Sequence, residues 1–324
     1  MKKLLFAVLV LFLVATSWVG HQLHTRPALD SYASIQTAPA IGGEGIRVTF
    51  LGVSTLLLRD SSTAVLVDGF FSRPGLFSTA LLPIGPDQER ISAALTRAGI
   101  EHLDAIVAVH SHYDHAMDSP EVAKRTGAVL VGSLSTANIA RGQDLPENQI
   151  HVVAGSEVLH FGDLTLTLIP SQHFPHGKAM GEIATPLVPP ARAIEYLEGG
   201  SFSILIERNA RRILVQASAG YVEGALADRQ ADVVYLGVGL LGSKDQAYRD
   251  AYWRETVTAV HARRVIPIHW DDFTRGLDDP LVALPFLLDD LDASMAFVQQ
   301  RAASEQVDVR WPVLWQSSDP FAGL

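Results

Sequence analysis

The chain contains no cysteine. That excludes disulfides, thiolate metal ligands and a cysteine nucleophile, and it suits an oxidising compartment, where stray thiols are a liability. Positive charge is also scarce. Lys and Arg number 25 against 35 Asp and Glu, giving a net charge of −10. Phosphate binding needs clustered cations, so the composition argues against nucleic acid as a partner. No Gly-x-Ser-x-Gly nucleophile elbow is present, and no internal repeat or low-complexity tract stands out.

Long hydrophobic runs are missing except at the N-terminus. Lys2 and Lys3 precede an apolar stretch from Leu4 to Val14, which continues without charge through Gly20; the next charged residue is Arg26. This is the charged and apolar pattern of an export signal. Cleavage after Ser17 would place Ala15 and Ser17 at the small-residue positions; the alternative is an uncleaved anchor. Residues 1–25 are therefore expected to be a signal peptide or membrane anchor, with membrane contact through residues 4–23. Positive charge before the apolar segment places the rest outside the cytoplasm, periplasmic and either soluble or tethered to the inner membrane. Pro27, Pro39, Gly42, Gly43 and Gly45 mark residues 26–45 as a linker, leaving 46–324 as the folded domain. With 48% hydrophobic residues, that domain can bury a sizeable core.

Short β-like runs follow at Arg47–Leu51, Ser54–Leu58 and Ala64–Val67. A helix is expected over Gln88–Ala98, stopped by Gly99, then a strand over Leu103–Val109. Asp118-Ser119-Pro120 reads as the cap and start of a short helix. Strands are expected at Ala128–Val131, His151–Val153, Glu157–Phe161 and Leu164–Ile169, the last two joined by a turn at Gly162-Asp163. Further strands fall at Ser201–Glu207, Arg212–Gln216, Val233–Leu236, Val265–Ile268 and Val307–Trp311. Ser243–His261 and Leu281–Gln300 read as helices, the latter despite Pro285. Strand-rich and helix-rich segments come in two rounds. That points to an α/β fold, two sheets with helices outside, in a four-layered αβ/βα sandwich.

The chemistry concentrates at His110-Ser111-His112-Tyr113-Asp114-His115, directly after the apolar run Ile106–Val109. Alternation along an extended chain sends His110 and His112 to one side, and a turn after Tyr113 lets Asp114 and His115 address a second point. Imidazole and carboxylate suit zinc and its first-row neighbours. His173 and His269 each follow a strand as well, and loops at one edge of a β scaffold are where a site assembles. Residues 174–200 form a long Gly/Pro-rich interruption, in which His176 and Tyr196, with Lys178 and Glu182, are candidates to line a substrate pocket. Gly237-Val238-Gly239 lacks the spacing of a nucleotide fingerprint and reads as a turn.

This order of motifs resembles the metallo-β-lactamase-fold hydrolase superfamily over roughly residues 46–311. It is most similar to the branch holding the ascorbate-phosphate lactonase and the N-acyl-phosphatidylethanolamine phospholipase D. The resemblance implies that His110, His112 and His173 hold one metal, and that Asp114, His115 and His269 hold a second. Asp68 matches the acidic residue closing an early strand. Zn2+ is the implied cofactor, one or two per chain, with Mn2+ or Fe as alternatives. One departure concerns the bridging aspartate of that superfamily: Ser218 stands in its place, so hydroxide, or a nearby carboxylate such as Asp271 or Asp272, would have to bridge, or only one metal binds tightly.

The implied activity is attack of a metal-activated hydroxide, oriented by Asp114, on an ester, lactone or phosphodiester in a small-molecule or lipid-like substrate. Two other readings remain. One is a mononuclear-iron oxidative enzyme on the same fold. The other is a catalytically weakened metal-binding protein, motivated by Ser218.

Overall fold

The computed structural model describes residues 2–41 and 45–324; Met1 and residues 42–44 of the expected linker lie outside the described residues. Two seven-stranded sheets face each other. In sheet order, the first runs Ser317–Ser318, Arg47–Phe50, Leu56–Arg59, Ala64–Val67, Ala105–Val107, Val129–Gly132 and Ile150–Val152. The second runs Asp308–Val309, Arg264–Ile268, Val233–Gly237, Arg211–Gln216, Ser201–Arg208, Leu164–Ser171 and Glu157–Phe161.

Alternation sorts the residues into layers. Leu56, Leu58, Val65 and Val67 point between the sheets, where they meet Leu166, Leu168, Ile204 and Val215 of the second sheet. Leu57 and Leu66 point outward against Ile91 and Leu95 of the helix Gln88–Arg97 and Val122 of the helix Ser119–Thr126. Tyr252, Trp253, Met295 and Val298, from the helices Gln246–Trp253 and Leu291–Glu305, join the cluster that includes the second sheet. Each such buried side chain contributes roughly 1.5–3 kcal/mol of transfer free energy. The result is the expected four-layered sandwich.

Both sheets change from antiparallel to parallel pairing midway. In the first the change falls between Ala64–Val67 and Ala105–Val107. In the second it falls between Arg211–Gln216 and Val233–Gly237. Asp68, His110, His173, Ser218 and His269 all follow the carboxyl ends of strands, which is where open α/β sheets gather their sites.

Three expectations need correction. The segment Leu281–Gln300 is not one helix. Residues before Asp290 are irregular, and Asp290 opens the helix by accepting the Ala293 amide; Pro285 has no N–H to extend a helix through its own position. The helix after Ser243 is shorter than expected and widens at Arg254–Thr258 into a π-helical turn. The expected linker is packed down over its described part. Tyr32 is buried and stacks on Trp311 at 4.2 Å, and the Ala40 amide donates to Ser317 across the edge of the first sheet. The terminal strand Ser317–Ser318 carried no apolar alternation and was not anticipated.

Among the described residues, the helix Lys2–His24 meets this core only at its last turn, where the Leu287 amide donates to the Gln22 carbonyl. From Lys3 to His24 it is long and apolar enough to cross a membrane, and none of that stretch is buried in the protein.

Candidate metal centre

The strand Ala105–Val107 leads into His110, and a single helical turn, Tyr113–Ala116, follows His112. That turn carries Asp114 and His115. The structure gathers the expected donors into two groups, His110 with His112 and His173, and Asp114 with His115 and His269. Within each group the ligand atoms lie within 4.8 Å of one another. The groups adjoin, since the His110 and His115 ring centroids are 3.8 Å apart.

Most of these rings are oriented through one nitrogen, which leaves the other free. His173 Nδ1 donates to the Phe174 carbonyl at 2.8 Å, and His112 Nε2 to the Ala179 carbonyl at 3.1 Å. His115 Nδ1 donates to Asp68 at 2.8 Å, leaving its Nε2 buried and without a partner. Both nitrogens of His110 are likewise buried and unpartnered. A buried polar atom without a partner costs roughly 1–3 kcal/mol, so its persistence calls for an explanation. A divalent cation answers it, and imidazole, with three of the rings oriented from behind, is the donor set that zinc and its neighbours take.

Electrostatics agree. Burial pushes His110 well below the ordinary histidine range, and burial with the neighbouring His112 pushes His173 down to about 3. His112 is also lowered, chiefly by burial. These rings stay neutral and keep a lone pair for a metal. Burial would raise Asp114, but His115 and His269 outweigh it and hold the carboxyl far below its usual range. Asp114 Oδ2 lies 3.3 Å from His269 Nε2 and 3.6 Å from His115 Nε2.

The residues behind the donors explain how the site is held. Asp68 is fully buried and accepts from the Val109 amide, the Ser54 hydroxyl and His115, so both of its oxygens are engaged behind the donor group. Asp271 is committed elsewhere. It pairs with the buried Arg73 at 2.6 Å and accepts the Val53 amide at 2.7 Å. Asp272 bonds Arg26 and the Thr274 hydroxyl, both at 2.6 Å. Neither carboxylate is free to replace the bridge. Ser218 borders the cavity, and its hydroxyl accepts the Phe174 amide at 2.9 Å, directly after His173.

Backbone strain collects at this point. Val53, Asp68, Arg73 and His269 all have positive φ, and for a β-branched valine at 52° this is a true outlier. The His269 amide donates to the Val53 carbonyl, so Asp271, by holding the Val53 amide, fixes the turn on which His269 rests. Gly52 is required beside it, because a Cβ there would sit 1.9 Å from the Arg73 guanidinium.

A cavity of about 380 Å³ opens over the donors. Its floor holds His112, Asp114, His173 and His269, and its walls are mostly apolar, with Leu76, Ile194, Phe273, Leu284 and Leu288. His176 lines it as expected, its ring 4.7 Å from that of His173. Lys178 lines it too, whereas Glu182 does not. Tyr196 is buried in an apolar cluster with Phe70 and Ile139 and does not line the cavity. Sequence reasoning missed Ser54, Arg73 and Glu198. Glu198 accepts the His173 amide at 3.3 Å and the Ser201 hydroxyl at 2.8 Å. None of the three belongs to a local motif; only folding brings them to the site.

Comparison with known proteins agrees with this geometry. The model of the beta-lactamase superfamily domain matches residues 63–270. The chain belongs to that superfamily. A UPF0173 metal-dependent hydrolase of Heliobacterium modesticaldum is 24% identical over 233 residues, covering 70% of this chain and 84% of that protein. One of Desulforamulus reducens is 25% identical over 272 residues, covering 82% and 97%. Among solved structures, Igni18, a metallo hydrolase of Ignicoccus hospitalis, aligns with TM-score 0.53 at 13% identity over 85% of this chain and 97% of its own. CmlA, a diiron beta-hydroxylase of Streptomyces venezuelae, aligns at 0.52 and 14%, over 85% of this chain and 54% of its own. At such identities these two structures speak for the fold alone. The superfamily and the paired donor groups together make the chain a metal-dependent hydrolase.

Proposed function

We propose that this hydrolase cleaves an ester, lactone or phosphodiester outside the cytoplasm, with zinc as its metal. The observation that carries the reading is the convergence of the two donor groups on the floor of one apolar-walled cavity. His110, His112 and His173 would hold one ion, and Asp114, His115 and His269 a second. A bound divalent ion supplies polarisation of the scissile carbonyl or phosphoryl group and a water acidic enough to ionise near neutral pH.

The chain's own groups do the rest. Asp114, kept ionised, faces the cavity and orients the attacking water through its carboxylate. Phe273, Leu284 and Leu288 exclude bulk water, which strengthens electrostatic interactions at the floor. His176 and Lys178 are the polar groups above the floor, placed to meet a substrate's polar end.

The test is metal quantification on natively purified protein, followed by a screen of esters, lactones and phosphodiesters. Zinc with turnover of one of these classes is expected. Protein that takes up no metal even after zinc is supplied would overturn the reading, and iron with a ligand-to-metal optical band would redirect it to oxidative chemistry.

A further inference from the structure

We propose that the cavity mouth lies against a phospholipid bilayer and that the substrate is an amphiphile drawn from it. This rests on the hydrolase reading above for the chemistry, but its surface argument is independent. Leu76, Ile194 and Leu288 line the cavity and are also exposed at its mouth, Ile194 at 55%. On the helix Leu76–Leu81, Phe77 and Leu81 stand beside Leu76, 67% and 59% exposed, and no residue of that helix is buried. Leu287 is exposed next to Leu288. Contiguous exposed apolar rims of this kind mark interaction sites.

The occupant is identified by the N-terminal helix. Its end is fastened to this rim. The Leu287 amide donates to the Gln22 carbonyl at 3.2 Å and the Phe286 amide to the Thr25 carbonyl at 3.1 Å. Arg26 then bonds the Ala283 carbonyl at 2.7 Å and Asp272 at 2.6 Å. The helix Lys2–His24 would be about 34 Å long at 1.5 Å per residue, enough for a ~30 Å hydrocarbon core. A membrane helix tied to the rim at its last turn leaves the rim at the membrane surface. The net charge of −10 disfavours attraction to anionic headgroups, so the contact is apolar. The substrate class follows from the walls. An acyl chain fits the apolar sides while its ester or phosphodiester reaches the histidine floor.

The absence of cysteine makes the surface test clean. Phe77→Cys, Leu287→Cys and, at the far end of the second sheet, Ala210→Cys each accept a single polarity-sensitive fluorophore on the full chain. The labelled proteins are reconstituted in phosphatidylcholine vesicles with and without lipid-borne quenchers. The expected result is a blue shift and strong quenching at positions 77 and 287, insensitive to salt, with neither at 210. Labels at 77 and 287 that stay in water beside an inserted helix would overturn the proposal. So would a concentration-dependent shift without lipid, which means a second copy covers the rim, and so would mass spectrometry of the mature protein showing loss of the first 17 residues.

A second arm compares an ester or phosphodiester carried by a long-chain lipid in the vesicle with the same group on a short, monomeric chain. Two further buried methylenes already give roughly tenfold, so at least about tenfold preference for the vesicle substrate is expected. Equal rates would remove the substrate class and leave the hydrolase reading standing. No hydrolysis of either, in protein loaded with metal, would count against the hydrolase reading while the fluorophore result still decides the surface.

Discussion

The two donor groups use nearly the same residue types but are held by different means. His112 and His173 are oriented by backbone carbonyls of Ala179 and Phe174, both on or next to the long loop over residues 174–200. His115 is oriented by Asp68, a fully buried carboxylate at the end of the strand Ala64–Val67, and His269 rests on a turn locked by the buried Arg73–Asp271 pair. One group is supported by a loop that also forms the cavity wall. The other is supported by charges embedded in the core. The difference predicts that changes in the wall loop reach the supports of the first group, whereas the supports of the second lie in the core, even though Asp114 and His269 themselves line the cavity.

Breaking the core-supported side should have the largest effect. Arg73→Met removes one partner of a fully buried ion pair and leaves Asp271 uncompensated, which typically costs about 3–5 kcal/mol. Denaturant unfolding should show the midpoint falling accordingly. If stability is unchanged, Asp271 is not held as described, and the core pair does not support the second group. On the loop-supported side, His112→Ala removes a metal donor directly. Changing only an outer partner already costs 10–100-fold, so at least about 100-fold in metal affinity or turnover is expected. Full metal content and activity in this variant would show that the first group is not a ligand set.

Asp68→Asn sharpens the comparison, because its amide oxygen can still accept the Val109 amide before His110, so the change falls on His115 of the second group. The amide keeps the shape but removes the charge that orients His115. A loss of about 10–100-fold in affinity for one of two metals is expected, with the other unchanged. Calorimetric titration of metal-free protein resolves the two steps. Equal weakening of both would mean that the groups are not independently supported.

How much of this was legible follows the same division. The donors His110, His112, Asp114 and His115 are adjacent in sequence, and His173 and His269 follow apolar runs, so pattern reading reached them. The two sheets were legible wherever strands were apolar and bounded by turns. What failed was non-local. Asp271 and Asp272 are near a ligand in sequence and invite a bridging role, yet each is neutralised by an arginine far along the chain, Arg73 and Arg26. Tyr196 sits in the loop as foreseen but is drawn into an apolar cluster that no local pattern reveals. The described part of residues 26–45 looked like a linker because its packing depends on Trp311 and Ser317, nearly the whole chain away.

The smallest expected effect belongs to Ser218, and it decides what that residue does. Its hydroxyl accepts the Phe174 amide and so fixes the backbone next to His173. Ser218→Ala removes that acceptor and leaves a buried amide unpaired, at a cost of about 1–3 kcal/mol in stability. Because His173 keeps its own carbonyl partner and the Glu198 contact, metal affinity at the first position should fall by less than about tenfold, below the range for a lost outer-shell partner. Were Ser218 itself a ligand or a bridge, the same substitution would cost at least 100-fold and would loosen both positions together. Metal titration of Ser218→Ala beside His112→Ala separates the two outcomes. A small, one-sided loss means that serine at this position serves the loop, and that the metals, where two bind, are not joined through residue 218.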